Sequence, residues 1–337
     1  MQHIYIIAEI GCNHCGDPVR AKKMVEEAKA CGVDAVKFQT FKAAELISKY
    51  APKADYQKVT TGNNENQLEM TRKLELPYDE FIKLRDYAIS LGLDTFSTPF
   101  DMDSISFLEE QKQAIWKIPS GEVTNLPFLE RIAKFRVPNK KIILSTGMCT
   151  IDEIHQAVDI ILKYEMPENL IILHCNTEYP TPDKDVNLSG IDTLHKEFPG
   201  IQIGFSDHSV GCVAAIGACM KDICCIEKHF TLDKNLPGPD HKASATPDEL
   251  KALCENVRRI EVIAGEGGKR VTESERRNIN IARKSIVARC AIKKGDLFTE
   301  ENITCKRPGN GISPMEWYKV LGTAAVRDFE EDELIER

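Results

Sequence analysis

Two histidines pose the question of what this chain does. His208 closes the run Gly204-Phe205-Ser206-Asp207-His208, and His229 closes Glu227-Lys228-His229 further on. Each run follows a short apolar stretch, Ile201-Gln202-Ile203 in one case and Ile223-Cys224-Cys225-Ile226 in the other. Imidazoles placed just past consecutive strands can converge on one divalent cation, for which neutral histidine is the commonest protein ligand. Asp207 and Glu227 beside them are of the type that orients a metal-bound imidazole. Either histidine could equally be an ordinary hydrogen-bonded residue at a strand end. Two lysines, Lys37 and Lys117, also sit in apolar runs, and Thr98, Ser120, Ser145 and Ser206 follow similar runs. Ammonium groups with several hydroxyls and the Ser145-Thr146-Gly147 turn make an anion site. Carboxylates such as Glu9 and Glu122 add the means to move protons.

Such residues act together only if the fold gathers them. From residue 4 to 264 the chain alternates strand-like runs with amphipathic helical stretches. The strand candidates are Ile4–Ala8, Ala35–Phe38, Thr95–Ser97, Ile115–Ile118, Ile142–Ser145, Leu170–His174, Ile201–Phe205 and Ile223–Glu227. The helical candidates are Pro18–Cys31, Tyr78–Ser90, Ser104–Gln111, Pro127–Phe135, Ile151–Tyr164, Val210–Met220 and Pro247–Ala264. Eight strand–helix units of this length predict a (β/α)8 barrel, which delivers the C-terminal ends of its strands to one mouth. A doubly wound open sheet would carry a Gly-x-Gly-x-x-Gly turn after the first strand, and none is present. In barrel order, the strand ends supply Glu9, Lys37 with Gln39, Thr98, Lys117 with Ser120 and Glu122, Ser145, Asn176 with Tyr179, Ser206 with His208, and Glu227 with His229.

The predicted boundaries are residues 1–267 for the barrel, 268–284 for a charged linker and 285–337 for a small module. The interval 42–75, with its polar Thr60–Asn66 patch, is too long for one helix and is expected to pass over the barrel mouth. The module carries turn signals at Lys294-Gly295-Asp296 and Arg307-Pro308-Gly309-Asn310-Gly311. It is short enough that it should lean on the barrel or on another subunit.

Bulk properties exclude several classes. Net charge is −8, from 44 basic and 52 acidic side chains, which argues against a general nucleic-acid binder or a polybasic membrane adaptor. No apolar run approaches a membrane span, and Glu9 interrupts the only apolar run near the N-terminus, so no signal peptide is read. Most of the 12 cysteines lie in apolar periodic segments, as small buried hydrophobes do. Cys12 and Cys15 form a lone Cys-x-x-Cys without a second half. A cytoplasmic enzyme in a reducing compartment is the expectation.

The motifs, taken in order, resemble those of the sialic acid synthase family. They are Ala8-Glu9-Ile10-Gly11-Cys12-Asn13-His14, Val36-Lys37-Phe38-Gln39-Thr40, Ser97-Thr98-Pro99-Phe100, Lys117-Ile118-Pro119-Ser120-Gly121-Glu122 and Leu144-Ser145-Thr146-Gly147-Met148. Then come Ser206-Asp207-His208, Glu227-Lys228-His229-Phe230-Thr231, Pro237-Gly238-Pro239-Asp240 and Lys306-Arg307-Pro308-Gly309-Asn310-Gly311. The likeness runs through the small module, which resembles the family's antifreeze-like (SAF) domain. It implies an enzyme that condenses phosphoenolpyruvate with an N-acetylated hexosamine, giving a 2-keto sugar acid and phosphate. It also implies a divalent ion, Mn2+ or alternatively Mg2+ or Co2+, held by His208 and His229. Lys37, Thr98, Lys117, Ser120, Ser145 and Ser206 would hold phosphoenolpyruvate, and Glu122 would position or deprotonate a water. Glu9, Gln39, Asn176, Tyr179 and Asp240 would face the sugar. Arg307 would reach the site of a neighbouring subunit, implying a domain-swapped homodimer.

Asn176-Thr177-Glu178 ahead of Tyr179-Pro180, with Gly238-Pro239-Asp240-His241, is more similar to the legionaminate branch, whose acceptor is a 6-deoxy sugar with two acetamido groups. N-acetylneuraminate synthesis from N-acetylmannosamine is the alternative. Glu178 either accepts from the additional amide N–H or is a solvated loop charge. Other phosphoenolpyruvate aldol synthases generally lack the C-terminal module. A non-catalytic saccharide-binding or surface-polysaccharide protein would be expected to lose the histidines or lysines, and all four are present.

Overall fold

The computed structural model describes residues 3–54, 57, 58, 61 and 66–337, so most of the Thr60–Asn66 patch lies outside the described residues. Eight parallel strands form one sheet: β1 Tyr5–Gly11, β2 Ala35–Thr40, β3 Asp94–Pro99, β4 Ile115–Ile118, β5 Lys141–Ser145, β6 Leu170–Cys175, β7 Gln202–Asp207 and β8 Cys225–His229. The hydrogen-bonded order is β3-β2-β1-β8-β7-β6-β5-β4, the circular permutation that a (β/α)8 barrel requires. Every expected strand is present, with ends within two residues of those predicted for most of them.

At the seam between β3 and β4 no backbone ladder is formed among the described residues. The side chain of Gln113 takes its place. Its Oε1 accepts from the Ser97 N–H at 2.8 Å and its Nε2 donates to the Ser97 carbonyl at 2.9 Å. Gln113→Leu would strand two buried backbone groups, an expected loss of about 2–4 kcal/mol of stability, read as a shifted urea midpoint. An unchanged midpoint would mean that the seam closes by other means.

Strand alternation sorts each strand into an outer and an inner face. Outward residues such as Ile6, Ala8, Val36, Phe38 and Ile226 pack under the helices in the main core. Inward residues Ile7, Ala35, Phe96, Ile143, Leu173 and Cys225 fill the barrel interior as an apolar plug. Two positions further along six of these inner rows stand Glu9, Lys37, Thr98, Ser145, Cys175 and Glu227. The sequence therefore places a polar layer directly above an apolar one. At the end of β1 a register shift between Glu9 and Gly11 interrupts the ladder with β2. Gly11 has φ +53°, and a Cβ there would lie 2.7 Å from the Glu9 carboxylate, so only glycine fits.

The helices Pro18–Cys31 and Tyr78–Ser90 match their predicted spans, and Pro247–Ile263 starts where predicted. The first has Asp17 as N-cap, accepting from the Val19 and Arg20 amides. A helix at Ser189–Glu197 goes unpredicted, because Ser189-Gly190 is a poor helix start. It is held by burial of Ile191 and Leu194. Residues 42–75 contribute the short helices Ala43–Leu46 and Gln67–Arg72.

The chain divides into two compact units, Met1–Glu266 and Gly267–Arg337. The second unit contains the antiparallel pair β9 Ser285–Ala288 and β10 Ile303–Lys306. It buries a cluster of its own that includes Ile286, Phe298, Val320 and Phe329. Leu334 bridges to Val287, and Ile292 to Phe329, so distant short segments tie the unit together. Among the described residues no helix is long and apolar enough to cross a membrane.

Candidate active site

The polar layer encloses a cavity of about 200 Å3 at the C-terminal ends of the strands. Lys37 and Lys117 stand in its wall, both buried. Lys37 Nζ donates to Thr98 Oγ1 at 2.8 Å and lies 2.6 Å from Glu9 Oε2. Lys117 Nζ donates to Ser145 Oγ at 2.6 Å. Between them sits Glu227, with one carboxylate oxygen 3.8 Å from each ammonium, accepting from Ser206 Oγ at 2.9 Å. Burial alone would raise the proton affinity of Glu227, but Lys117 and Lys37 outweigh it and hold the carboxyl well below its usual range. Glu9 goes the other way. Burial raises it, Lys37 opposes and Glu227 reinforces, so its carboxyl binds a proton more readily than normal. The two ammonium groups, with the hydroxyls of Thr98, Ser120, Ser145 and Ser206 beside them, supply the donors that suit an anion.

The aromatic side of the cavity is built on Tyr179, His208 and His229. Tyr179 stacks on His208 at 4.2 Å and meets His229 edge-on at 5.4 Å, and the two imidazoles are 5.3 Å apart. His208 Nδ1 donates to the Asn176 carbonyl, which fixes the tautomer. The lone pair of Nε2 is then left toward Tyr179 Oη at 3.2 Å and Ser206 Oγ at 3.3 Å. His229 Nδ1 is buried without a hydrogen-bond partner and lies 3.9 Å from Asp240. Burial drives His208 down to about 4 and, together with His208 and Lys37, drives His229 well below its ordinary value. Both rings are therefore neutral, the form that ligates metals.

Among the described residues no group of three or more His, Cys, Asp or Glu side chains is arranged to hold a metal ion. Two neutral imidazoles, one with an unsatisfied buried nitrogen, fit an ion that keeps most of its positions for water and substrate. Asp207 does not orient either ring. It points outward with Lys228, accepting from Lys228 Nζ at 2.8 Å and from the Ser209 N–H and hydroxyl. The reason is alternation: residues 207 and 228 lie on the opposite face from 206, 208, 227 and 229.

A second cavity of about 220 Å3 adjoins the first, and Gln39, Phe100, Tyr179 and His229 line both. Gln39 is anchored by donating to Glu9 Oε1 at 2.8 Å. Asp240 belongs to this second cavity and accepts from the Cys12 thiol at 3.2 Å. Burial pushes the Asp240 carboxyl up to about 6. A raised carboxyl favours folding fully below its unfolded value near 4 and loses that contribution as pH climbs through 6. Asp240 should therefore contribute about 1–2 kcal/mol more stability at pH 5 than at pH 7, while the depressed histidines pull the other way, so the stability gap between wild type and Asp240→Asn should change by that amount between the two pH values. Thermal melts at the two pH values measure it, and equal slopes in both proteins would refute the assignment.

Most of the predicted residues meet here: Glu9, Lys37, Gln39, Thr98, Lys117, Ser120, Ser145, Tyr179, Ser206, His208 and His229 line the first cavity. Two do not. Glu122 ends a short 3-10 turn, Ser120–Glu122, and its carboxylate accepts from Asn125 Nδ2 at 2.5 Å, away from the lining. The Asn176 side chain is spent on its own loop, accepting from the Glu178 N–H, so this residue acts through its main-chain carbonyl. Glu178 is exposed and outside both linings. Arg307 belongs to the second unit, where its Nε donates to the Ala282 carbonyl. Asn13 is structural, donating to the Phe230 carbonyl and to Ser244. Thr177, Met148 and Phe100 line the first cavity without having been singled out. Phe41, Leu46, Met70 and Leu74 do the same in the second. Apolar residues carry no chemical signature in a sequence, so only their placement reveals them.

Most of the chain matches known protein families. Residues 24–269 match the model of the NeuB family, and residues 283–336 match that of the SAF domain. The chain is 49% identical over 336 residues, 99% of both chains, to the N,N'-diacetyllegionaminic acid synthase of Campylobacter jejuni. It is 42% identical to the enzyme of the same name from Legionella pneumophila, covering 95% of this chain and 89% of that one. Among solved structures, the N-acetylneuraminic acid synthetase of Leptospira borgpetersenii, in complex with citrate, superposes with a TM-score of 0.71 at 33% identity. That match covers 82% of this chain and 90% of the other.

Proposed function

The chain belongs to the NeuB family, and on that premise we propose that it is an N,N'-diacetyllegionaminate synthase, condensing phosphoenolpyruvate with 2,4-diacetamido-2,4,6-trideoxymannose. The observation that carries the reading is the junction of the two cavities. A two-lysine anion cage and a second cavity share Gln39, Phe100, Tyr179 and His229, so two substrates can meet beside the histidine pair.

In this reading Lys37 with Thr98, Lys117 with Ser145, and Ser120 and Ser206 bind the carboxylate and phosphate of phosphoenolpyruvate by charge-assisted hydrogen bonds. His208 and His229 would hold a divalent ion, Mn2+ with Mg2+ or Co2+ as alternatives, which when bound supplies Lewis acidity toward the sugar aldehyde. The carbon–carbon bond forms between C3 of phosphoenolpyruvate and the aldehyde carbon. Water then adds at C2, and the bond from C2 to the phosphate-ester oxygen breaks as the added hydroxyl becomes the ketone and gives its remaining proton to the departing phosphate. The aldehyde oxygen gains a proton as the water loses one. In this reading Glu9, a carboxyl of the cavity wall with raised proton affinity, exchanges that proton. The side chain of Glu122 is engaged elsewhere.

On the same reading the working form is a homodimer in which Arg307 of one copy serves the site of the other. Sedimentation at assay concentration would read it as a species of twice the chain mass, and a monomeric active enzyme would exclude it. Twelve free thiols fit a reducing compartment and hence the cytoplasm, which cell fractionation would test. The reaction itself is tested by incubating the protein with phosphoenolpyruvate, Mn2+ and each candidate sugar separately. Phosphate release that depends on the sugar, with a keto acid of matching mass, is expected. Absence of release with every hexosamine tested would defeat the proposal.

A further inference from the structure

The second cavity has two unlike walls. One carries Gln39 and Asp240, and the other is mostly apolar, made of Phe41, Leu46, Met70, Leu74 and Phe100 with Gln57 and Thr71 among them. The apolar wall is pre-built. Phe41 and Phe100 meet edge-on at 6.3 Å, and both Phe41 and Leu74 belong to one small buried cluster to which Leu46 and Phe100 are packed. Met70 is buried, with its sulfur accepting from the Thr61 hydroxyl at 3.4 Å. Four of the five residues come from the segment between β2 and β3, which no strand-end argument reaches.

Geometry then assigns ends to the acceptor. Its aldehyde carbon has to meet phosphoenolpyruvate at the junction beside His208 and His229. The remote end of the hexose therefore extends into the second cavity, against the apolar wall. A hydroxyl placed there would leave water for a surface that, among the described residues, has only Gln57 and Thr71 to offer it, whereas a methyl group gains by burial against the five apolar side chains. We propose that the Phe41–Leu46–Met70–Leu74 wall reads the remote end of the acceptor, admitting a methyl-bearing, 6-deoxy sugar over one with a hydroxyl at that carbon. This rests on the synthase reading above and moves acceptor choice away from Glu178, which is exposed and lines neither cavity.

The test compares the full chain with Met70→Gln and, separately, Leu46→Gln. Each is assayed with phosphoenolpyruvate and Mn2+ on 2,4-diacetamido-2,4,6-trideoxymannose and on 2,4-diacetamido-2,4-dideoxymannose, which differ at C6 alone, and on N-acetylmannosamine. Wild type should favour the 6-deoxy sugar over its 6-hydroxyl counterpart by about 100-fold in kcat/KM, and each variant should reduce that ratio by about tenfold, with KM for phosphoenolpyruvate unchanged. An unchanged ratio, or an equal fall on both of these sugars, would overturn the inference. Leu46 is only half-buried, so its variant carries the test if Met70→Gln does not fold. A wild type that uses the 6-hydroxyl counterpart equally well, or prefers N-acetylmannosamine, would overturn the inference and leave a synthase in place. A wild type that uses none of the three sugars would sink the synthase reading, and the inference with it.

Discussion

Lys117→Met is expected to abolish phosphate release and to lower the unfolding free energy by about 3–5 kcal/mol. Lys117 is buried in the barrel, so burial drags its proton affinity down while Glu227 pulls it up. Glu227 in turn is kept ionised by Lys117 and Lys37, each 3.8 Å away. Removing one cation leaves a buried carboxylate with half its compensation, and it also removes a donor that an anionic substrate requires. The two consequences separate in the double variant Lys117→Met with Glu227→Gln. That pair of changes removes both charges, so most of the stability should return while turnover stays absent. Urea unfolding and phosphate release, measured on the same preparations, check both halves. A single variant that kept a tenth of wild-type turnover would show that Lys117 does not hold the substrate.

His208→Ala and His229→Ala are each expected to lower kcat/KM by about three orders of magnitude, the equivalent of roughly 4 kcal/mol of transition-state stabilisation. Both chains should still unfold cooperatively, because each ring sits in the polar layer above the apolar plug and not within it. The loss should track the ion as well. Calorimetric titration with Mn2+ is expected to give a binding isotherm for wild type and none for either variant. Binding that survives in both variants would mean that the ion is held elsewhere, and the unpartnered Nδ1 of His229 would then need a different explanation.

Glu122 and Asp207 show what adjacency in sequence leaves open. Both stand beside residues of the cavity, and adjacency in sequence makes them look like partners in the chemistry. Asp207 is turned outward by strand alternation and closes a buried pair with Lys228. Glu122 lies past the end of β4, on a turn whose hydrogen bond to Asn125 draws its carboxylate aside. Asn176 errs in another way: the contact it makes is through a carbonyl that every residue has, so side-chain identity is silent about it.

The sequence by itself determined the barrel, because period-2 apolar runs alternating with amphipathic stretches leave few ways to bury both faces of eight strands. It also determined which polar residues share the mouth, since Glu9, Lys37, Thr98, Lys117, Ser145, Ser206, Glu227 and His229 all lie on inward rows of their strands. Only the tertiary structure decided how those charges are shared. Whether Glu227 orients an imidazole or bridges two lysines depends on distances of a few ångströms between strands far apart in the chain. The same holds for the second cavity. Phe41, Leu46, Met70 and Leu74 are ordinary apolar residues until the segment between β2 and β3 brings them beside Asp240 and His229. Burial is a property of the fold and not of the residue, and it is burial that sets both the proton affinities and the apolar wall of this site.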